Sequence, residues 1–489
     1  MPDYKHNIVT DRNTEMDVQP ETAQFGIQVV VGTAPVNLLD DPASAVNVPI
    51  EVTSRADVKK KLGYCTNYRD YTLMQSVLAS FQSFTVAPLI FINVLDPSNP
   101  RHKAAVAEHE VPVVKNTATI EDQGVILDTL KVTSGELAPV AGTDYIASFD
   151  ADGNVMLTIL PDGNLNGLDK VKVAYSKLDP SGVTATDIIG GVDEHNKRTG
   201  IELIDEIYPR MGIVPFILLA PEFSKNAAVA AALEAKAQLN GNIINAIALC
   251  DIDCKDVVDI KNVAEAKDKL GASTRWITLC WPKVKVNGNV ISMSAQKGAS
   301  IQNMIINNNN IPARSDDNLE AKIDATVLDD GTEIYPTLEE ANNYLLAHGI
   351  TTCYRMGGWK FWGNNTAAYP GTKNPNDRFF KCVLFGNYLE DRFKTEYLVY
   401  LGNSGSVKLM QSLVNNFNSS LNALVPDYMA AASIIFNKDE NPEAELIEGR
   451  WKFHTHYADW IPVEYIENEF TWNSKLLTDA IYSQMGGEE

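Results

Sequence analysis

The apolar residues of this chain fall into distinct textures along its length. Five short continuous runs have the length and composition of strands buried on both faces. They are FGIQVVVGTAP at 25–35, APLIFINVLD at 87–96, VPFILLAPE at 214–222, NIINAIALCDI at 242–252 and TRWITLCWPKVKV at 274–286. Between them the spacing turns helical. Leu73, Val77, Phe81 and Phe84 share a stripe in 71–84, IELIDEIYPRM follows at 201–211, and 224–240 is Ala-rich with Ser224 as N-cap. Residues 256–270 form a helix that stops at Gly271. Alternating buried strands and helices predict four or five parallel strands in a doubly wound α/β sheet.

Residues 110–186 break this rhythm. VILDTLKVT, DYIASF, NVMLTIL and VKVAYS alternate in period two, and Asp152-Gly153-Asn154 and Asp162-Gly163-Asn164 supply turn signals between them. This stretch reads as a small antiparallel β domain inserted into the α/β domain. Further on, 302–318 is polar and Asn-rich and reads as an exposed loop. Thr337-Leu338-Glu339-Glu340 is a capping box opening a helix that ends at Gly349, and 351–372 is aromatic and Gly-rich. Leu409, Leu413, Phe417, Leu421 and Leu424 form one stripe of a long helix at 407–424. The predicted organisation is an extended arm at 1–24, an α/β domain from 25–100 and 187–350, the β insertion at 101–186, and a C-terminal α+β domain with its own arm at 351–489.

The two ends carry the arms. Residues 1–22 are polar, with only Ile8 and Val9 as adjacent strong apolars, too few to fold alone. The functional reading is a segment that orders on a partner. Near the other end, Trp451, Phe453, Thr455 and Tyr457 share one strand face, and in EYIENEFTWN (464–473) Ile466, Phe470 and Trp472 share another. Such a terminal strand suits addition to another subunit's sheet edge.

Composition narrows the function. The net charge of −22 argues against a nucleic-acid surface. No run of 18 apolar residues is present to cross a membrane, and MPDYKHNIVTDRNTEMD has no signal-peptide core. The six cysteines form no CxxC pair and read as reduced, buried thiols. No phosphate loop or GxGxxG turn occurs, and Gly402-Asn403-Ser404-Gly405-Ser406 has the wrong spacing for a hydrolase elbow. His454 and His456 could share a metal with Asp459 as third ligand, but two histidines on a polar strand face are better read as surface. The pairs Asp316-Asp317 and Asp329-Asp330 read as solvated loop residues. No catalytic, cofactor or metal site emerges, and the expectation is a protein that is not an enzyme, with an α/β hydrolase carrying a β insertion as the alternative.

Three stretches of the C-terminal third resemble the tail sheath proteins of contractile phage tails and R-type bacteriocins. They are TLEEANNYLLAHGITTCYRMGGWKFWGNNTA with Trp362-Gly363-Asn364-Asn365-Thr366, DRFFKCVLFGNYLEDRF with Asn387, Tyr388 and Glu390, and NPEAELIEGRWKFHTHYADWIPVEYIENEF. VVVGTAPVN and the helix start at Tyr71 look like the family's opening. The second stretch departs from the family, with Cys382-Val383-Leu384 where basic residues are frequent. The resemblance implies a structural polymer. Subunits form hexameric rings stacked helically around an inner tail tube, joined by strand exchange through both arms, with baseplate and terminator proteins as further partners. It implies no nucleic-acid partner, no membrane insertion and no cofactor. It also implies a place in a virion tail or phage-tail-like particle assembled in the host cytoplasm, and contraction that drives the tube through a cell envelope.

Overall fold

In a computed structural model, residues 21–22, 25–135, 138–150, 152–238 and 244–486 are described. Ile8 and Val9 lie outside them. A central sheet contains β1 (Gln28–Gly32), β2 (Pro49–Val52), β3 (Leu89–Asn93), β4 (Ile217–Leu219), β5 (Ile247–Asp251), β6 (Ile277–Cys280), β7 (Ile350–Arg355) and β8 (Trp359–Trp362), in the order β8-β7-β6-β5-β4-β1-β3-β2. The six strands β3, β1, β4, β5, β6 and β7 are parallel, and β2 and β8 are antiparallel edges. The sheet is thus mixed α/β as the buried runs foretold, with one more parallel strand than expected. The extra strand is β7, in the stretch read only as aromatic and Gly-rich.

The helices α1 (Leu73–Val77), α2 (Ala227–Gln238) and α4 (Met293–Asn307) lie against this sheet, and α3 (Val263–Leu270) packs on α2. The β1–α1 junction is tight. Thr33 and Thr72 exchange main-chain and side-chain hydrogen bonds of 2.9 and 3.2 Å, and a Cβ on Gly32 would stand 2.3 Å from Thr72 Oγ1, so only glycine fits there. Three readings change. TRWITLCWPKVKV is two strands, because the chain leaves the sheet at Trp281-Pro282. Lys283–Val286 then joins a separate antiparallel sheet with Asn289–Ile291 and Ala325–Val327. Proline has no N–H to continue a ladder, which makes that position a natural exit. Residues 302–307 are the last turns of α4, a buried helix, and not an exposed loop. Residues 464–473 form no strand in the single chain.

Six strands between Lys103 and Leu178 make an antiparallel sheet, with Val111, Ala118, Val155, Leu157, Val171 and Val173 in a hydrophobic cluster of its own. Tyr145–Phe149 and Val155–Ile159 pair as a hairpin. At its turn the Asp150 carboxylate accepts from Asp152 N and Asn154 N, each at 2.9 Å. The C-terminal elements are α5 (Phe380–Tyr397), α6 (Val407–Asn422), the antiparallel pair β9 (Met429–Ile435) and β10 (His454–Asp459), and α7 (Ser474–Gln484). Ser406 caps α6 by accepting from Leu409 N at 3.2 Å, and the foreseen stripe is inward: Leu413, Phe417 and Leu421 are buried, with Phe417 edge-on to Phe393 at 5.0 Å. This places Ser406 in a capping role rather than in a nucleophile elbow.

Candidate assembly surface

The family-like motifs do structural work at the junction of the C-terminal elements with the sheet. Asn387 donates to Ala246 O at 3.2 Å, Glu390 accepts from Asn245 Nδ2 at 2.6 Å, and Asp391 accepts from Asn245 N at 2.8 Å. One face of α5 therefore clasps the entry to β5. Asp391 belongs to this clasp although the sequence reading passed over it. In the other motif, Gly363 N donates to Asp317, Ser315 donates to Asn364, and Arg378 Nε donates to Asn365, at 2.8, 2.7 and 2.8 Å. Lys267 Nζ donates to three carbonyls, His348 O, Ala367 O and Tyr369 O, at 2.6–2.7 Å. These bonds fix the path from β8 to α5.

Asp316 and Asp317 are not solvated. Asp316 and Lys297 of α4 form an ion pair with both side chains fully buried, and the Lys297 ammonium also sits 4.9 Å from the centre of the Phe380 ring, at the start of α5. Burial pushes the Asp317 carboxyl above its ordinary range despite its bond to Gly363. Asp329 is an ion-pair partner of Lys283 at 2.5 Å, and Lys283 also reaches Glu222 at 2.7 Å.

Burial likewise pushes the Asp391 carboxyl up to about 7, with the Asn245 bond and Lys394 at 3.5 Å opposing it. Its folded value lies above the unfolded one of about 3.9, so its stabilising contribution is present below that value and is lost as pH rises through 7. Asp391→Asn keeps the acceptor for Asn245 N and removes the titration. Its stability relative to the parent is expected to rise between pH 4 and 8 by on the order of 3 kcal/mol, measured by urea unfolding across that range. A difference that stays flat with pH would contradict this assignment.

All six cysteines are buried and free, and burial pushes the Cys65 thiol up to about 11. His454 and His456 stack ring on ring at 4.2 Å, with His454 Nδ1 3.4 Å from Glu440. Asp459 is instead bonded to Lys381. Among the described residues no group of three or more His, Cys, Asp or Glu is placed to hold a metal, and no helix is long and apolar enough to cross a membrane.

The root of the C-terminal tail is firmly built. Lys381 of α5 pairs with the buried Asp459 and donates to Trp460 O at 2.7 Å; Trp460 Nε1 donates to Pro426 O at 2.8 Å, and Arg378 pairs with Glu464. Beyond that root no described residue covers the tail. Ile466, Phe470 and Trp472 are 84%, 89% and 78% exposed, and residues 463–486 are exposed throughout. Exposed apolar side chains at this density mark an interaction surface. The pair β9–β10 shows no third strand among the described residues. At the other end, residues 21–22 pair in parallel with Val86–Ala87.

A rigid mixed α/β body with a long uncovered apolar tail is the plan of a self-assembling structural subunit. The relatives agree. The chain is 23% identical over 512 residues to the tail sheath protein of Burkholderia phage BcepMu, covering 99% of both chains. It is 24% identical over 310 residues to the tail sheath protein of Escherichia phage P2, covering 58% of this chain and 69% of the relative. Its fold matches a chain of the anti-feeding prophage baseplate with a TM-score of 0.60 at 11% identity, covering 96% and 99% of the two chains. It also matches a chain of the PVC sheath complex of an extracellular contractile injection system in the contracted state, with a TM-score of 0.57 at 12% identity, covering 97% and 99%. No protein-family model matches the chain. The full-length similarity bears out the resemblance carried by the motifs: the chain is similar from end to end to a phage tail sheath protein, and its fold matches chains of contractile injection systems. The hydrolase alternative finds no support among these relatives.

Proposed function

We propose that copies of this chain polymerise as stacked hexameric rings around an inner tube, and that contraction of the polymer drives the tube through a target envelope. The full-length relationship to phage tail sheath proteins carries this reading. In it, the segment at 464–473 adds as a strand to the sheet edge of a neighbouring copy, with Ile466, Phe470 and Trp472 turned into the joint, and the arm at 1–24 does the same through Ile8 and Val9. Strand addition supplies main-chain hydrogen bonds that persist while the rigid bodies turn relative to one another. The C-terminal α+β domain faces the tube, the β insertion at 101–186 points outward, and baseplate and terminator proteins close the two ends. The assembled particle is a phage tail or tail-like device built in the host cytoplasm.

Phe470→Asp tests the exchanged strand. A buried carboxylate without a partner is costly in the joint and harmless in the free tail, where residue 470 is exposed. The expected outcome is a chain with unchanged circular dichroism that stays unassembled in sedimentation runs where the parent polymerises. Polymer in parental yield would count against a role for this strand.

A further inference from the structure

One cleft of the chain differs from its surroundings in charge. It encloses about 840 Å³ between the body and the root of the tail, and its walls include the loop after α4, the path from β8 to α5, and residues 460–464. The chain as a whole carries 63 acidic side chains against 41 of Lys and Arg. The charged lining of the cleft reverses that balance, with Arg314, Arg378 and Lys381 against Asp317 and Glu464. Lys381 is matched by the buried Asp459, whereas Arg314 has no hydrogen-bond, ion-pair or ring partner among the described residues. Burial holds the Asp317 carboxyl above its ordinary range and so favours its neutral form.

Arg378 is held ready for an anion. Its Nε donates to Asn365 Oδ1 at 2.8 Å, and its guanidinium lies 4.5 Å from the centres of both the Tyr369 and the Phe379 rings. The fork is fixed in advance, so little freedom is lost when a carboxylate binds it. Asn364 and Asn365, 5% and 7% exposed, line the same cleft. Their Oδ1 atoms are engaged by Ser315 and Arg378, which leaves each Nδ2 as a donor without a described partner. A carboxylate already sits on the fork: Glu464 accepts a single hydrogen bond from Arg378 Nη2. Glu464 is itself exposed and belongs to the uncovered tail, so this occupant can leave without opening the core.

We propose that this cleft is a receptor for an acidic peptide segment of a partner chain, whose carboxylate takes the Arg378 fork from Glu464. The fork and the two amide donors match carboxylate geometry. Trp362, Tyr369 and Trp460, with Ile461 and Val463, supply apolar wall for the residues on either side of the carboxylate. A cleft of this size and mixed lining suits a peptide rather than a small acid. Glu464 is its gate. Glu464 also begins the segment that the sheath reading adds to a neighbour's sheet, so strand addition withdraws the gate. A free copy then has a closed cleft and an assembled copy an open one. That coupling rests on the sheath reading, whereas the preference of the cleft for carboxylates does not.

The test uses the unassembled full chain and two dye-labelled peptides, Gly-Glu-Leu-Glu-Gly and its amide counterpart Gly-Gln-Leu-Gln-Gly, followed by fluorescence anisotropy. The acidic peptide is expected to bind saturably and the amide peptide about tenfold more weakly, the fold-change of one charge-assisted hydrogen bond. Glu464→Gln is expected to tighten the acidic peptide about threefold, the worth of a part-exposed ion pair, by freeing the fork. Arg378→Gln is expected to weaken it about tenfold, with circular dichroism checking the fold of both variants. Glu464 is exposed, so its variant decides the matter even where Arg378→Gln unfolds. Equal binding of the two peptides, or an acidic-peptide affinity that Glu464→Gln leaves unchanged, overturns the proposal. Glutarate that displaces the peptide at equal concentration also overturns it, by assigning the site to a free dicarboxylic acid. All of these arms are read without polymer, so their failure leaves the sheath reading standing, and a failure to polymerise leaves the peptide result standing.

Discussion

Replacing Lys297 with Met is expected to lower the stability of the folded chain by about 3–5 kcal/mol, the largest effect of any single substitution considered. Lys297 and Asp316 are both completely buried, and they join α4 to the loop that follows it and to the first turn of α5 through Phe380. Removing the ammonium strands the carboxylate in an apolar interior, where Asp316 Oδ1 already has no hydrogen-bond partner. The cost is that of an uncompensated charge, not of the ion pair itself. The double variant Lys297→Met with Asp316→Leu is therefore expected to recover most of the loss, since a buried pair exchanged for apolar residues of similar volume is often neutral. Urea unfolding of unassembled protein checks both. A single variant within about 1 kcal/mol of the parent, or a double variant as damaged as the sum of the singles, would refute this account of the pair.

Deleting residues 1–20 is expected to leave a folded, soluble monomer and to abolish polymerisation. The core of the chain from β1 onward is closed without that segment: Val29, Val30 and Val31 are completely buried by described residues. The segment itself is too polar to fold alone, so its contribution is to a contact in trans. The same deletion separates folding from assembly, because the first leaves circular dichroism and unfolding midpoint unchanged while the second removes high-mass species from sedimentation profiles. A truncated chain that polymerises like its parent would remove the N-terminal arm from the account.

The sequence revealed what depends on local physics and hid what depends on partners. Buried strands such as Leu89–Asn93 announce themselves because both faces are apolar up to the closing Asn93, and the Thr337 capping box and the αL residues Gly271 and Gly349 mark helix ends by chemistry that is local to a few residues. Helix α4 was hidden because its buried faces carry polar side chains. Gln302 donates to Pro88 O at 2.9 Å, Gln28 donates to Gln302 at 2.6 Å, Gln296 donates to Ala321 O at 2.8 Å, and Lys297 pairs with Asp316. Each is satisfied by a residue distant in sequence, so no hydrophobic stripe remains to be read. Asp316 and Asp317 were misread as solvated for the same reason. The tail at 464–473 reads as a strand and is left unpaired in the single chain, because alternation reports what a segment can pair with and not whether an edge is at hand. The apolar residues of that tail were nonetheless legible: Ile466, Phe470 and Trp472 are the exposed side chains that mark it.

The central claim is that this chain builds a hollow helical polymer around a tube. Negative-stain electron microscopy of the purified full-length protein, concentrated alone and with its tube protein, tests it most directly. Hollow tubes with regular transverse striations are expected, and none from the chain lacking residues 1–20. Compact, unassembled particles from the full-length protein even with tube protein present would contradict the claim.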